Sequence, residues 1–483
     1  MTVAAGTAYW FFARDGFRRA LESQATSWLG HPVHIGAAKA RFLPRLAVSL
    51  TDVRVGEPVQ LVLEQVDLAS DWRPLFNGRI ENADVTVSGS RIDLPLPFGL
   101  PESSAAAGAD LKAGPYKEPA VRLVSIRSIA LRSVRLRSRG REIVVSADSA
   151  YGGTALALQK FTAESGGTTL NAEGVIALSP RIDARLNAVA NRLDLDELIA
   201  LADAFAPPPG KPKQAKGETA RISAGISATQ VTAGSAQLQN FVTTLTRDGE
   251  SIALRPVQFE AFGGRYTGSI AGRLATQLSA TLEARIENAN VAELAAFGGS
   301  PDSISGTLSA EGRFTGSGAD VTQLLHSVRG TGTAAIVDGS IKRLHLVRTV
   351  ILFFGRPAPD AGESSDRFDR IDARFSLANR VVNAEALSLT SPDADMTGAG
   401  TLNLATDALA GRVNVTLSEA LSKQAGTDLI RYTREGNRVV LPAVIGGTLS
   451  APRLTIDVAA AAKRGLQNEV KRRLEGLFEG FDR

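Results

Sequence analysis

Alternation between apolar and polar residues dominates this chain. Leu282, Ala284 and Ile286 alternate with Glu283, Arg285 and Glu287; Val413, Val415 and Leu417 alternate with Asn414 and Thr416; Leu454, Ile456 and Val458 alternate with Thr455 and Asp457. A period of two sends apolar side chains to one face of a strand and polar ones to the other. Antiparallel sheets can keep one face wet, so the pattern predicts long antiparallel meanders.

Short helices interrupt the strands. Asp194-Leu-Asp-Glu197 opens an apolar run to Phe205, Asn290-Val-Ala-Glu293 opens one to Phe297, and Asp320-Val-Thr-Gln323 leads into Leu324 and Leu325. Each has the form of a capping box, in which the first side chain accepts from the third amide and a Glu or Gln reaches back. Two of these helices follow similar Gly-led strand pairs, Gly174–Asn187 and Gly268–Arg285. A third copy, Gly398–Leu417, precedes a weaker helix. The spacing reads as irregular, which predicts a repeated module and not a strict solenoid. Strands that repeat without closing leave an edge and a face to manage. The expected fold is therefore mainly β with short α-helices: an elongated, curved antiparallel β-sheet forming an open trough, with helices covering its ends or flanks.

Composition narrows the functions this fold could serve. Of 483 residues, 44% are hydrophobic and 22% charged, enough to bury a large core. The formal charge of +4 is too small to read as a nucleic-acid footprint. Cysteine is absent, which removes disulfides and thiolate chemistry. Three stretches rich in Pro, Gly, Ser and charge, Gly99–Pro119, Ala206–Glu218 and Gly355–Asp366, read as linkers. Met1–Phe12 is uncharged and mostly apolar but shorter than the ~20 residues of a spanning helix. It reads either as the tail of a membrane helix or as a frayed start to an amphipathic helix over Phe12–Leu29.

No catalytic constellation survives its context. His31 and His34 flank Pro32 with no Cys or acidic cluster to complete a metal site, so a turn is expected. Isolated His326 and His345 read as packing residues. Asp366, Asp369, Asp372, Asp393 and Asp395 lie in a loop and at strand ends, where aspartate serves turns. Gly330-Thr-Gly332 leads into a strand, and Gly210–Gly217 lacks the Lys-Ser/Thr of a phosphate loop. The expectation is a non-enzymatic protein with no cofactor and no metal.

Several segments, in order, resemble one family. Trp28-Leu-Gly-His-Pro-Val-His-Ile35 and the strands around Leu75-Phe-Asn-Gly-Arg-Ile80 are similar to the N-terminal opening of AsmA-like proteins. Gly330–Leu346, Phe368–Leu404 and Val440–Val458 are similar to their C-terminal domain, with a Ser-Pro after a strand, Gly-x-Gly, and a closing Gly-Gly-Thr element. The resemblance covers roughly the first 95 and last 150 residues, in a family related in style to TamB-like and chorein-type lipid carriers. It divides the chain into a truncated anchor and leading helix (1–30), an N-terminal β segment (31–98), a linker (99–120), a β module (121–205), a linker (206–218), a second β module (219–329), the AsmA-like C-terminal domain (330–458) and an amphipathic helix (459–483).

What the resemblance implies is a scaffold held to the inner membrane of a Gram-negative bacterium by one N-terminal helix, its body in the periplasm, binding or conducting lipid between membranes in support of envelope homeostasis. The implied partners are phospholipid or another envelope lipid, the inner membrane, and outer-membrane or periplasmic proteins; nucleic acid is not among them. The alternative is an envelope assembly factor that aids outer-membrane protein biogenesis through protein–protein contacts. Alternating apolar residues supply the groove candidates: Leu282, Ile286, Phe375, Leu377, Leu387, Leu389, Val413, Val415, Leu454 and Ile456. An ordinary dry core would need the same pattern. Arg135, Arg137, Arg139 and Arg141 alternate along one strand, Arg135 and Arg137 reading either as headgroup contacts or as a solvated strand edge. In the final helix, apolar Leu466, Val470, Leu474 and Leu477 recur at three- and four-residue spacing beside Lys471 and Arg472. This helix reads either as a membrane-surface element, with Lys471 and Arg472 on headgroups, or as a cap on the sheet.

Overall fold

A computed structural model describes residues 15–41, 45–75, 79–95, 122–123, 125–205, 220–275, 277–341, 367–424 and 433–479. The apolar start Met1–Phe12, the three linkers, His345 and the apolar run Val347–Phe354 lie outside these residues. The chain divides into two compact units: Met1–Gln237 with Thr244–Gly249, and Leu238–Thr243 with Glu250–Arg483.

The first unit opens with helix α1 (Asp15–Leu29), strands β1 (Val33–Arg41), β2 (Leu46–Val55) and β3 (Leu61–Ser70), and the single turn α2 (Trp72–Leu75). Four short strands follow: β4 (Arg79–Ile80), β5 (Ala83–Ser88), β6 (Arg91–Leu94) and β7 (Arg122–Leu123). Long strands then run up and down, β8 (Ile126–Ser138), β9 (Arg141–Tyr151), β10 (Ala155–Ser165), β11 (Thr168–Ala177) and β12 (Asp183–Asp194), to helix α3 (Leu195–Phe205) and strand β13 (Arg221–Ala233). Strand β14 (Ala236–Asp248) contributes residues to both units.

The second unit contains β15 (Ser251–Ala261), β16 (Gly264–Leu274), β17 (Leu278–Asn290), α4 (Val291–Phe297), β18 (Ile304–Gly318), α5 (Val321–His326), β19 (Arg329–Ile341) and β20 (Arg367–Ala378). It continues with β21 (Val381–Thr390), β22 (Ala394–Asn403), β23 (Leu409–Leu417), α6 (Glu419–Gln424), β24 (Arg434–Glu435), β25 (Arg438–Thr448), β26 (Ala451–Ile456) and α7 (Val458–Glu479). The mainly β reading with few short helices is therefore what the chain adopts. Val458 departs from it. The last strand stops at Ile456, because the Asp457 carboxylate accepts from the Ala460 amide (2.9 Å) and starts a helix there.

The sheet is mixed. Most neighbours are antiparallel hairpins, but β12 and β13 run parallel from Asp183↔Arg221 to Asp194↔Thr232, and β5 and β6 each pair parallel with β8. Parallel neighbours need a long crossover. Between β12 and β13 the crossover contains α3. The three N-caps form as the spacing predicts, but the reach-back half of the box does not: the Asp194 amide donates to Thr168 Oγ1 and the Asn290 amide to the Phe262 carbonyl, and Gln323 accepts from Ala319. Asp194 Oδ1 accepts from the Asp196 and Glu197 amides, Asn290 Oδ1 from Ala292 and Glu293, and Asp320 Oδ1 from Gln323.

The repeat is more regular than the sequence suggested. Strand β10 begins at Ala155 and β15 at Ser251; Asp194 caps α3 and Asn290 caps α4; both pairs are 96 residues apart. The β10–β11 pairing slips between Leu158 and Phe161, and the β15–β16 pairing slips between Leu254 and Val257, again 96 apart. Thus β8–β12 with α3 and β13–β17 with α4 are two copies of one five-strand cassette. Aligning Gly174 with Gly268 hid this, because the true counterpart of Gly174 is Ile270.

In the first unit, Leu21, Ala25 and Leu29 of α1 pack on Val33, Ile35, Val53 and Val55. The helix also closes the outer edge of β1. Thr26 Oγ1 accepts from the Val33 amide (3.0 Å), Glu22 Oε1 accepts from the Ile35 amide (2.8 Å), and Arg18 Nη1 donates to the Ile35 carbonyl (3.1 Å). Backbone groups that would otherwise invite another strand are thus taken.

Candidate functional site

Lateral register in the second unit sorts the alternating residues into rows that cross the strands. One row runs Leu282, Phe314, Gly330, Leu377, Val382 and Leu402. The next runs Ala284, Gly312, Gly332, Phe375, Ala384 and Gly400, and a third runs Ile286, Ala310, Ala334, Ala373, Leu387, Gly398 and Val413. All three lie on one face of the sheet. The residues between them, including Glu283, Arg285, Glu311, Arg313, Thr333 and Arg374, occupy the other face.

The apolar face changes character along the unit. Leu389, Val413, Val415 and Leu454 belong to a sealed core with Phe368, Met396, Leu417 and Leu441, and Ile456 packs against it. Leu282, by contrast, is 39% exposed, and Ile286, Phe375, Leu377 and Leu387 are only half-buried. The ten groove candidates therefore fall into two environments: five form or line a closed core, and five stand on a face that is partly open.

Glycine and aromatic residues shape the open part. A Cβ at Gly332 would lie 2.6 Å from the Glu311 carbonyl oxygen and 2.7 Å from the Phe375 ring. A Cβ at Gly330 would collide with the Arg313 carbonyl and the Phe314 ring. The absent side chains let neighbouring backbone approach closely and leave room for each ring to lie against the sheet, covering backbone that glycine exposes. The result is a low, apolar floor walled by Leu282, Leu377 and Ile286.

The charged face is chemically different. A shallow depression of ≈ 810 Å³ takes in Arg285, Glu311, Thr333, Arg374 and Asp372 from this face together with Ile286 and Leu387 of the third row, and leaves out Phe314, Phe375 and Leu377. Its charges largely neutralise one another: Arg285 Nη2 donates to Glu311 (2.7 Å), Arg370 is bidentate to Asp372 (2.7 Å each), and Arg313 pairs with Glu283. The Arg370 hydrogen bonds hold the Asp372 carboxyl below the usual aspartate range. Cross-strand pairs of opposite charge stabilise a solvated sheet face.

The remaining sequence candidates are placed as follows. Arg135 is exposed on β8, beside Arg91 of β6. Arg137 is ion-paired with Glu142. The four arginines do not share one strand: β8 stops at Ser138, Arg139 lies in the β8–β9 turn and Arg141 opens β9. There Arg139 Nη1 donates to the Asp203 carbonyl (2.9 Å), Ser138 Oγ donates to the Ala204 carbonyl and Arg141 pairs with Glu197, so the turn docks α3. Lys471 and Arg472 lie on α7, but their side chains lie outside the described residues. His34 Nδ1 is 3.2 Å from Glu22, the residue that also holds the β1 edge.

Sequence reasoning missed a polar junction in the first unit. Asp84 on β5 accepts from Arg45 (2.5 Å), from Ser128 (2.6 Å) and from Arg127; Arg45 also donates to the Asn82 carbonyl (3.0 Å) and pairs with Asp71. Burial opposes the Asp84 charge, but the hydrogen bonds from Arg127, Ser128 and Arg45 outweigh it and hold the carboxyl well below the usual range. The partners are about forty residues away in sequence, and no local pattern announces them. The junction ties β2, β5 and β8 together where the parallel pairing begins.

These features define a mainly β scaffold whose sheet carries one apolar face, sealed in part and open in part. Residues 196–387 match the family model described as "AsmA family". The protein named "Protein AsmA" from Escherichia coli (strain K12) is 21% identical over 351 residues, which cover 67% of this chain and 56% of that protein. The chain is thus similar to AsmA-family proteins over these residues, and it spans little more than half the length of that curated relative. No solved structure matches it. Among the described residues, no helix is long and apolar enough to cross a membrane.

Proposed function

We propose that this protein is a membrane-anchored periplasmic scaffold that holds lipid acyl chains against the open part of its apolar sheet face and supports lipid movement between the inner and outer membranes. The observation that carries the reading is the half-buried set Leu282, Ile286, Phe375, Leu377 and Leu387, in lateral register over a glycine-lowered floor. Apolar side chains clustered on a face partly open to water are a surface that something apolar can cover. Acyl chains fit that surface, each buried methylene contributing about 0.8 kcal/mol. The mechanism is passive binding and sliding, with headgroups left in water and no catalytic group required. The short apolar segment Met1–Phe12 fits the membrane-proximal end of such a scaffold. The assembly-factor reading depends on strand addition to a free edge; at β1 that route is opposed, because α1 occupies the outer backbone groups.

The test is native purification from a Gram-negative host followed by mass spectrometry of bound lipid. Stoichiometric phospholipid that disappears in the Leu282→Asp/Leu377→Arg double variant, with the thermal transition retained, is the expected result. A lipid-free wild-type protein, or a double variant that keeps its lipid, overturns the reading.

A further inference from the structure

Helix α7 meets the rest of its unit with its small side, not its apolar side. Ala461 and Gly465 are buried, and Arg464 between them pairs with Glu435 and donates to Asn414 Oδ1 (3.1 Å). On a helix turning 100° per residue, Leu466 and Val470 point nearly opposite to Ala461 and Gly465. They are 70% and 55% exposed. A helix that capped the sheet through its hydrophobic stripe would bury these two side chains; here the stripe is turned outward.

We propose that the outward face of α7 is a membrane-surface contact, with the helix lying in the headgroup region of an anionic bilayer and Leu466 and Val470 entering its apolar boundary. Charge selects a lipid surface over a second protein. The helix carries Lys463, Arg464, Lys471, Arg472 and Arg473 against Glu469, Glu475 and Glu479, a net positive segment around an apolar stripe. Basic residues flanking exposed aliphatics are the chemistry of an interfacial helix on anionic lipid. The apolar spacing of three and four continues in the sequence through Leu474 and Leu477. Docking through Ala461, Gly465 and Arg464 leaves this face free while fixing the helix to the body. The contact is independent of the lipid-holding sheet face and adds a second membrane attachment to the N-terminal one in the proposed function.

The experiment is co-sedimentation of the full chain with vesicles of phosphatidylglycerol and phosphatidylcholine mixed, or of phosphatidylcholine alone. Leu466→Asp/Val470→Asp and the wild type are compared at low and high salt. Wild-type protein is expected to partition to the anionic vesicles, with the double variant at least about tenfold weaker. Raising the salt should reduce wild-type binding, since the basic contribution is screened. Both residues are exposed, so an unchanged melting profile verifies that the variant is folded. Equal partition of variant and wild type overturns the proposal. So does a wild-type dimer in sedimentation velocity that the double variant abolishes, since a second copy would then be the occupant. Loss of bound lipid in the sheet-face variant, with vesicle partition intact, would separate the two readings.

Discussion

If the apolar face is sealed at one part and open at another, equal truncations on that face must have unequal costs. Leu441 is fully buried in the core with Val415, Met396 and Leu389, whereas Leu282 is 39% exposed. Leu441→Ala removes buried methylenes and leaves a cavity that the surrounding strands cannot close, a loss of about 3 kcal/mol within the usual 2–5. Leu282→Ala leaves no enclosed cavity and loses only the partial transfer term, about 1 kcal/mol. For a unit of roughly 240 residues, each kcal/mol shifts the melting temperature by about 2–4 °C. The core variant should therefore melt about 6–12 °C lower and the wall variant no more than about 4 °C lower. Calorimetry of the two variants, each beside wild type in detergent-free and delipidated buffer, makes the comparison. Similar shifts for both would refute the division of this face into core and open wall.

Two further predictions concern the first unit. Glu22→Ala removes the acceptor of the buried Ile35 amide and should cost about 1–3 kcal/mol; it also reopens the β1 edge, so light scattering should show new self-association, and a monodisperse variant of unchanged stability would contradict the edge-blocking role. Asp84→Asn leaves Arg127 and Arg45 without their carboxylate and should destabilise the unit by about 1–3 kcal/mol at neutral pH. Because the folded-state value of Asp84 is depressed, its stabilisation is present above the unfolded value near pH 4 and is lost as pH falls toward the folded value. Acid titration of stability should be steeper below about pH 4 in wild type than in Asp84→Asn, and parallel curves would contradict this.

Features that depend on nearest neighbours were legible in the sequence. Alternation at Leu282–Glu287 and Val413–Leu417 placed strands, and the Asp194, Asn290 and Asp320 boxes placed helix starts, because a strand face and a cap are each set within a few residues. The parallel β12–β13 pairing was not legible, since nothing in Asp183–Asp194 distinguishes a strand that turns back from one whose chain crosses over. Nor could alternation separate Val415, inside the core, from Leu377, on the open face, because both positions demand the same side-chain chemistry. The Asp84 junction and the clasp of Thr26, Glu22 and Arg18 on β1 depend on contacts between separate elements. The outward face of α7 was an open choice in the sequence, and only the burial of Ala461 and Gly465 decided its direction.

The two cassettes suggest how a protein of this kind changes size. Five antiparallel strands and the α3 crossover leave β13 pointing the same way as β8, so the second cassette begins as the first one did, whereas β18 runs antiparallel to β17 after the second. Duplication or deletion of one such cassette at the β12–β13 junction would preserve strand polarity, and the alternation inside each copy sets which of its faces is apolar. A whole cassette gained or lost at that junction would therefore leave the strand directions on either side of it unchanged.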